Sequence, residues 1–235
     1  MVGGILMVPA LVGLGYTRHR ATATSLASIL LVALAGAIAF AVGGSVAWGT
    51  GLVLGIGGLI GATIGAKVMR RLSGPALGVI FGFVLLAAGI RMVVGGEVSP
   101  SGVVSAASLR VLSELIIGVV AGLGSGLAGI GGGTVMVPAM VFLLGTDQHT
   151  AEGTSLVAML FTAAAATRVN VGNHFVDWRA MVVLGIVGAI TAPLATSFAL
   201  QISAATLSRA FGLFAIAVAI QTILKSRKPP VSAPA

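Results

Sequence analysis

The chain has 235 residues, of which 57% are hydrophobic and 8% charged, and Lys and Arg outnumber Asp and Glu by 13 to 5. A soluble domain carries roughly 25% charged residues, so this composition excludes a soluble globular protein. Apolar runs of about 20 residues recur along the chain and predict a polytopic, all-α membrane protein.

The composition argues against several other classes of function. The basic residues lie between apolar segments and are not interleaved with aromatic residues, as they would be in a nucleic-acid-binding groove. Cysteine is absent, which excludes disulfides and thiolate metal sites. The three histidines show no metal-ligand spacing, and no apolar segment carries a catalytic carboxylate pair. We therefore expect no cofactor, no metal, no nucleic acid and no enzymatic activity.

The predicted elements, taken in chain order, form two units of similar design. The first unit has one short apolar limb and three longer helices, at about 2–15, 21–41, 48–66 and 75–93. The second unit has two short limbs and then three longer helices, at about 113–129, 134–145, 152–170, 180–198 and 207–224. Gly131-Gly132-Gly133 separates the two limbs of the second unit.

The two units are copies of each other, at an offset of 130 residues from Thr24 to Thr154. Nothing in the first copy matches residues 113–131, so we expect its hairpin to be incomplete. Either the true start lies upstream or this limb has been lost. The predicted organisation is a first repeat, an extracytoplasmic linker, a second repeat and a cytoplasmic tail, at 1–94, 95–112, 113–225 and 226–235.

The two limbs around the Gly cluster predict the orientation of the repeats. Limbs of roughly 17 and 12 residues reach about 25 and 18 Å, whereas a membrane core is about 30 Å thick. A re-entrant hairpin is therefore favoured over a broken helix that crosses once. A returning hairpin places ten of the 13 basic residues on one side, which the positive-inside rule makes cytoplasmic. This predicts two inverted repeats, each with a Gly-broken hairpin and three transmembrane helices, an arrangement typical of secondary transporters.

Three motifs are candidates for contact with a substrate. Gly131-Gly132-Gly133 breaks a helix, and its backbone N–H groups could hold an anion or form a tight hairpin tip. Pro138 and its counterpart Pro9 free a carbonyl four residues earlier, either for a polar path or merely as a kink. Two matched Thr-Ser pairs, Thr24-Ser25 and Thr154-Ser155, open the next helix and could cap it or offer hydroxyl groups to an oxyanion.

Polar residues at the segment ends leave two further alternatives open. Arg168, Asn170 and His174 could form a cytoplasmic vestibule for anions, or they could be ordinary interfacial polarity. Glu114 and Glu152 lie at the ends of apolar segments, which favours an interfacial position over a proton relay.

The sequence resembles the TauE/SafE family of sulfite exporters. The matching pieces are Gly131-Gly132-Gly133 with Val137-Pro138 and Ala151-x-Gly153-Thr154-Ser155-Leu156. A weaker copy contains Gly3-Gly4, Val8-Pro9 and Ala21-x-Ala23-Thr24-Ser25-Leu26, with Ala23 where the motif has Gly.

The resemblance implies a carrier of the bacterial inner membrane for small sulfur-containing oxyanions such as sulfite, sulfoacetate or thiosulfate. It also implies that both copies of the motif line the pathway, through Gly131, Gly132, Gly133, Pro138, Thr154, Ser155, Gly3, Gly4, Pro9, Thr24 and Ser25. We expect alternating access and a cytoplasmic C-terminus, with a small anion and the lipid bilayer as partners. A homo-oligomer, a passive anion channel and a non-transporting scaffold remain open alternatives.

Overall fold

The computed structural model describes residues 3–68, 83, 86, 89–90, 93–94, 107–128 and 131–227. This part of the chain forms eight helices and contains no strand. The helices are α1 (Gly3–Gly13), α2 (Arg18–Val42), α3 (Trp48–Val68), α4 (Ala107–Ala128), α5 (Gly133–Leu143), α6 (Gln148–Val171), α7 (Trp178–Gln201) and α8 (Ala204–Arg227). All but α1 and α5 are long and apolar enough to cross a membrane, which confirms a polytopic, all-α membrane protein.

The observed bounds lie within four residues of the predicted ones for every described helix except α4. The predicted helix at 75–93 lies almost entirely outside the described residues. The predicted limb at 113–129 is too short, because α4 begins at Ala107 and is 22 residues long, about 33 Å. The prediction that neither limb spans the membrane is therefore wrong for this one, which is long and apolar enough to cross. Its extra turns carry Arg110, which lies 3.5 Å from the carboxylate of Glu114 one turn later. This pairing allows the helix to continue through residues that end the apolar run in the sequence.

Equivalent helices of the two repeats, α2 and α6, pack against each other in opposite directions. Gly36 of α2 lies against Leu156 of α6, and Phe40, further along α2, lies against the earlier Gly153. Residue numbers therefore rise along α2 while they fall along α6. The two helices are antiparallel.

Two further helix pairs correspond to each other, because each pairs one helix with the equivalent of the other's partner. In one, α3 runs parallel to α6, with Gly51 against Val157 and Gly55 against Phe161. In the other, α2 runs parallel to α7, with Gly185 against Leu31 and Gly43 against Leu200. Thus α3 packs beside α6, and its equivalent in the other repeat, α7, packs beside α2. Both contacts join helices that belong to different predicted repeats.

α4 packs beside α3 through two facing stripes of glycine. At each stripe position a Cβ would collide with the backbone of the other helix, so only Gly permits this close approach. The stripe residues are Gly57, Gly61 and Gly65 on α3, and Gly118, Gly122 and Gly126 on α4. Because the paired numbers rise together, α3 and α4 are parallel.

α5 returns towards the end from which α4 started. It begins beside the middle of α6, where Gly131 contacts Met159, and a short loop joins its C-terminus to the start of α6. The stretch from Ala107 to Leu143 therefore turns back on itself, with α4 as its long arm and α5 as its short arm. Loops 14–17 and 172–177 lie at one end of the molecule, which we call the basic end. Loops 43–47, 144–147 and 202–203 lie at the other, which we call the distal end.

Candidate functional site

The Gly turn, defined here as Gly131 and Gly132, lies at mid-height in the molecule. Gly131 contacts Ile29 of α2 and Met159 of α6, which are close to the midpoints of their helices. Both glycines have positive φ, +85° and +82°, a region that other residues rarely adopt. The turn therefore needs glycine for its backbone conformation as well as for space.

The turn opens α5 without a side-chain cap. Gly132 is the N-cap residue and, having no side chain, makes no capping hydrogen bond to the first turn of the helix. The first N–H groups of a helix have no acceptor within it, and the helix dipole adds partial positive charge at that point. A helix N-terminus of this kind can bind an anion.

Two buried hydroxyl groups flank the Gly turn. Thr162 of α6 donates to the carbonyl oxygen of Gly131 at 3.2 Å and of Met159 at 3.1 Å. Ser125 of α4 lies beside Gly132, and its buried Oγ has no hydrogen-bond partner in the described part of the chain. A buried hydroxyl without a partner is unfavourable, so Ser125 is suited to a ligand at the turn.

The hydroxyl of Thr162 belongs to a buried polar face that runs the length of α6. Its members are separated by four, three, seven and eight residues, which are each close to a whole number of helical turns and so place them on one helix face. The members with side chains at most 8% exposed are Gln148, Glu152, Ser155, Thr162 and Asn170. We call this set the α6 polar face. It joins the distal end, the Gly turn and the basic end.

The structure does not bring the two Thr-Ser pairs together. Thr154 accepts a hydrogen bond from the N–H of Ala47 at 2.9 Å at the distal end. Thr24 accepts one from the N–H of Asp177 at 3.0 Å at the basic end. The antiparallel packing of α2 and α6 separates the pairs by about 20 Å along the helix axes.

These pairs do not cap their helices either. The helices begin about two turns earlier, and the capping side chains are Thr17, which accepts from Arg20 N, and Asp147, which accepts from the N–H groups of His149 and Thr150. The capping alternative is therefore wrong. The first turns of both helices are polar, so the apolar pattern predicted that the helices begin later than they do. Each Thr instead joins one repeat to the backbone of the other.

The remaining predicted pathway residues occupy several places. Ser155 lies on the α6 polar face and donates to the carbonyl of Glu152 at 2.8 Å. Its counterpart Ser25 is fully buried in α2. Pro138 is buried within α5, four residues after Thr134. In the first repeat, Gly3, Gly4 and Pro9 lie in the short helix α1, which is equivalent to α5.

The three predicted vestibule residues are not equivalent. Asn170 is fully buried, and both atoms of its amide lack a hydrogen-bond partner among the described residues. Arg168 and His174 are exposed, and His174 has an unusual positive φ of 56°. The structure therefore separates Asn170, on the inner side of α6, from the other two.

A charged junction joins the repeats at the basic end. Asp177 accepts from Tyr16 Oη at 3.0 Å and lies 3.8 Å from the guanidinium of Arg20. The N–H groups of Ala180 and Arg179, together with Tyr16, hold the pKa of Asp177 below its usual value. The same hydrogen bond raises the pKa of Tyr16. An ionised Asp177 thus ties α7 to the start of α2.

The two carboxylates that we expected at an interface are buried near the distal end. Glu114 accepts from Thr50 Oγ1 at 2.9 Å and pairs with Arg110. Glu152 accepts from Gln148 Nε2 at 2.9 Å. Among the described residues no group of three metal-ligating side chains converges on a metal site.

Sequence reasoning did not select Ser125, Thr162 or Gln148 as site residues. Ser125 lies in a Gly-Ser-Gly segment that resembles a protease turn, but no His lies beyond His174 to serve as its base. Thr162 could have been found from the repeat itself, because its counterpart in the first copy is Val32. A polar residue at a core position whose repeat counterpart is apolar indicates a candidate site residue.

The six spanning helices and the buried polar face define a multi-pass membrane protein with a polar interior. The family Sulfite exporter TauE/SafE matches residues 1–92 and 115–235, and the chain belongs to this family. The predicted family is confirmed. Because it is a transporter family, a small substrate and a lipid environment follow for this chain.

Two bacterial proteins are similar to most of the chain. A protein of Xylella fastidiosa strain 9a5c named "Probable membrane transporter protein" is 34% identical over 95% of this chain and 88% of its own length. "Probable membrane transporter protein YunE" of Bacillus subtilis is 26% identical over 75% of this chain and 73% of its own length. No solved structure matches the chain.

Proposed function

We propose that the chain is a secondary transporter that moves small sulfur-containing oxyanions, such as sulfite, sulfoacetate or thiosulfate, across the bacterial inner membrane. The family supports the substrate class, and the distribution of basic residues supports a cytoplasmic basic end and C-terminus. Arg20, Lys67, Arg168 and Arg179 all lie at that end. No catalytic step is part of the proposal.

The observation that carries the proposal is the uncapped N-terminus of α5 at mid-height, beside the unpartnered hydroxyl of Ser125. Thr162 holds the turn through its hydrogen bond to the carbonyl of Gly131. The turn and Ser125 together present a cradle made of backbone N–H dipoles and one neutral hydroxyl group. Neutral donors bind an oxyanion more weakly than Lys or Arg would, which favours release on the other side. We place the substrate against Gly131, Gly132 and Gly133.

We further propose alternating access between inverted repeats. Two observations support it, the antiparallel packing of α2 and α6 and the reciprocal hydrogen bonds at the two ends. In this mechanism one repeat rocks against the other around the Gly turn. Thr24 and Thr154 then act as joints between the repeats, while Ser25, Ser155 and Pro138 border the path. The equivalent residues of α1 (Gly3, Gly4 and Pro9) would form its counterpart on the first repeat.

The test is anion flux in liposomes that contain the purified chain. Sulfite flux should be saturable, and Ser125→Ala should reduce it about tenfold, since one buried hydrogen bond to an anion contributes about 1.4 kcal/mol. Ser28→Ala is the matched control, because this buried hydroxyl already donates to the carbonyl of Thr24 at 2.7 Å. Equal effects of both variants would remove Ser125 from the site.

The same liposomes distinguish a carrier from a channel. A secondary transporter accumulates the anion against its own gradient when a second gradient drives it, whereas a passive channel only dissipates gradients. Absence of flux with sulfite, sulfoacetate and thiosulfate would contradict the proposed function and favour a scaffold.

A further inference from the structure

The α6 polar face contains a second feature, away from the Gly turn. Gln148 and Glu152 form a buried pair near the distal end, with side chains only 2% and 8% exposed. Gln148 Nε2 donates to Glu152 Oε1 at 2.9 Å, whereas Gln148 Oε1 is buried without any partner in the described part of the chain. The pair therefore makes one hydrogen bond, and Gln148 Oε1 remains an acceptor without a donor among the described residues.

Glu114 shows what a compensated carboxylate looks like in the same region. Its Oε1 accepts from the hydroxyl of Thr50 at 2.9 Å and lies 3.5 Å from Arg110 Nε. These contacts give the carboxylate of Glu114 both a hydrogen-bond donor and a neighbouring cation. Glu152 has no ion pair among the described residues and receives only the amide N–H of Gln148.

The charged groups of the surrounding described helices either pair with each other or lie far from Glu152. Between Ala21 and Val42 α2 has none, and α5 has none. On α3 there is only Lys67, at the basic end, and on α4 Arg110 and Glu114 pair with each other. On α8, Arg209 is exposed near the start of the helix.

Among the described residues near the pair, the other titratable groups belong to α6 and its cap. His149 has Nε2 at 3.1 Å from the carbonyl of Ile202 and Nδ1 at 3.8 Å from Asp147. Arg168 is exposed at the basic end.

The pair of Gln148 and Glu152 has the chemistry of a proton-binding site. An ionised carboxylate without a cation is unfavourable within a membrane protein, whereas the neutral acid carries an O–H donor. A proton on Oε2 of Glu152 would supply the donor that Gln148 Oε1 lacks. The two side chains would then form the two-bond ring of a carboxylic acid and a primary amide, of which one bond is already present.

We propose that Glu152 binds the proton that is coupled to anion movement, an inference that rests on the proposed function. Glu152 lies on the same face of α6 as Thr162, about 15 Å away along the helix. When ionised, it places a negative charge on the path between the distal end and the Gly turn. Protonation makes this face neutral and lets an anion pass, so that proton and anion occupancy are linked.

The experiment follows proton movement with a pH-sensitive dye trapped in liposomes during thiosulfate flux. Thiosulfate is the probe because it carries no proton near neutral pH and moves none by itself. Glu152→Gln should abolish the proton movement that accompanies net flux, while exchange of labelled for unlabelled thiosulfate persists. Glu114→Gln is the matched control, the other buried carboxylate of the distal end, and should keep the proton coupling.

Infrared spectroscopy gives a second readout that does not depend on flux. The C=O band of a buried protonated carboxyl group should be present near neutral pH, disappear in Glu152→Gln and remain in Glu114→Gln. Gln reproduces the shape of the neutral acid, so the proposal requires Glu152→Gln to fold.

Several results would overturn it. Undiminished proton movement in Glu152→Gln, a misfolded Glu152→Gln variant or loss of coupling in Glu114→Gln alone would each contradict the assignment. Thiosulfate flux without proton movement in the unaltered chain would refute the coupling and leave the transporter standing. No flux with any of the three anions would refute the transporter and the coupling together.

Discussion

Equivalent positions of the two repeats are filled by α2 and α6, yet the two helices differ in where they carry buried polar side chains. In α2 these lie in the first half, and the residues from Ile29 to Phe40 are apolar or Gly. In α6 they continue through the second half, at Thr162, Thr167 and Asn170. The counterparts in α2 are Val32, Ala37 and Phe40. Of these two helices, only α6 carries buried polar side chains in both of its halves.

The Gly turn contacts both helices and shows the same difference. Towards α2, Gly131 contacts the apolar side chain of Ile29. Towards α6, its carbonyl accepts a hydrogen bond from Thr162. A site between the repeats is therefore chemically one-sided, with its polar contacts on α6 and its packing on α2.

Gly132→Ala is expected to have the largest effect on function. A positive φ costs a residue with Cβ about 1–2 kcal/mol, and the new Cβ would lie 3.1 Å from the carbonyl oxygen of Ala121. We expect flux per folded molecule to fall more than about tenfold, since a shift of the α5 N-terminus displaces the site. Flux is normalised to the folded fraction from size-exclusion chromatography.

Gly15→Ala is its matched control. Gly15 also has positive φ, but a Cβ there meets nothing within 4 Å. The same backbone strain should lower stability without lowering flux per folded molecule. If Gly15→Ala impaired flux as much as Gly132→Ala did, the turn would have no special role.

Exchanging the residue types at the equivalent positions Val32 of α2 and Thr162 of α6 tests whether the polar contacts of the site come from α6 alone. Thr162→Val removes the hydrogen bond to Gly131 at nearly constant volume and should destabilise the fold by about 1 kcal/mol and reduce flux several-fold. Val32→Thr adds a hydroxyl at the equivalent position, away from the Gly turn, and should leave flux unchanged. Thermal unfolding in detergent and liposome flux measure the two effects. Equal loss in both variants would mean that the helices contribute equally.

Much of the architecture could be predicted from the sequence because a duplicated apolar pattern reports helices directly. Seven of the eight described helices were predicted to within four residues, and the family was identified from its doubled motif. The length of α4 was missed because Arg110 and Glu114 look like the end of an apolar segment. Only their mutual contact and the hydroxyl of Thr50 show why the helix continues through them.

The candidate site was less predictable, because sequence order does not tell which hydroxyl groups face each other. Thr24 and Thr154 stand out in the sequence by their repetition, yet each receives a backbone N–H from the opposite repeat. Ser125 and Thr162 have no such repeated signature. Their relation to the Gly turn depends on how α4 and α6 pack, which follows from contacts distant in sequence.

Replacing the two junction threonines should give smaller effects than changes at the turn. Thr24→Val and Thr154→Val each leave a partly buried N–H group without its acceptor, a loss of about 1 kcal/mol. We expect Thr154→Val to cost more, because Ala47 brings no side-chain hydrogen bond to the distal end, whereas Asp177 also binds Tyr16 and Arg20 at the basic end. Thermal unfolding ranks the variants, and Ser substitutions, which keep the acceptor, should restore stability. The reverse order would show that the charged junction does not reinforce the basic end.

The smallest expected effect is the response of the basic end to acid. Hydrogen bonds from the N–H groups of Ala180 and Arg179 and from Tyr16 lower the pKa of Asp177 in the folded chain. A lowered folded pKa means that the stabilisation is present above the unfolded pKa of about 4 and is lost as the pH falls through the folded value. Asp177→Asn should therefore lower the melting temperature slightly near neutral pH and have progressively less effect below about pH 4.

The distal end provides the contrast for that measurement, because Ala47 stands where the basic end has Asp177. The destabilisation caused by Thr154→Val should not change across the same pH range, since its partner is a backbone N–H that does not titrate. Asp177 is partly exposed, so solvent screens its interactions and the shift in melting temperature stays small. A pH dependence of equal size at both junctions would place its origin outside Asp177 and remove the carboxylate as the difference between the two ends.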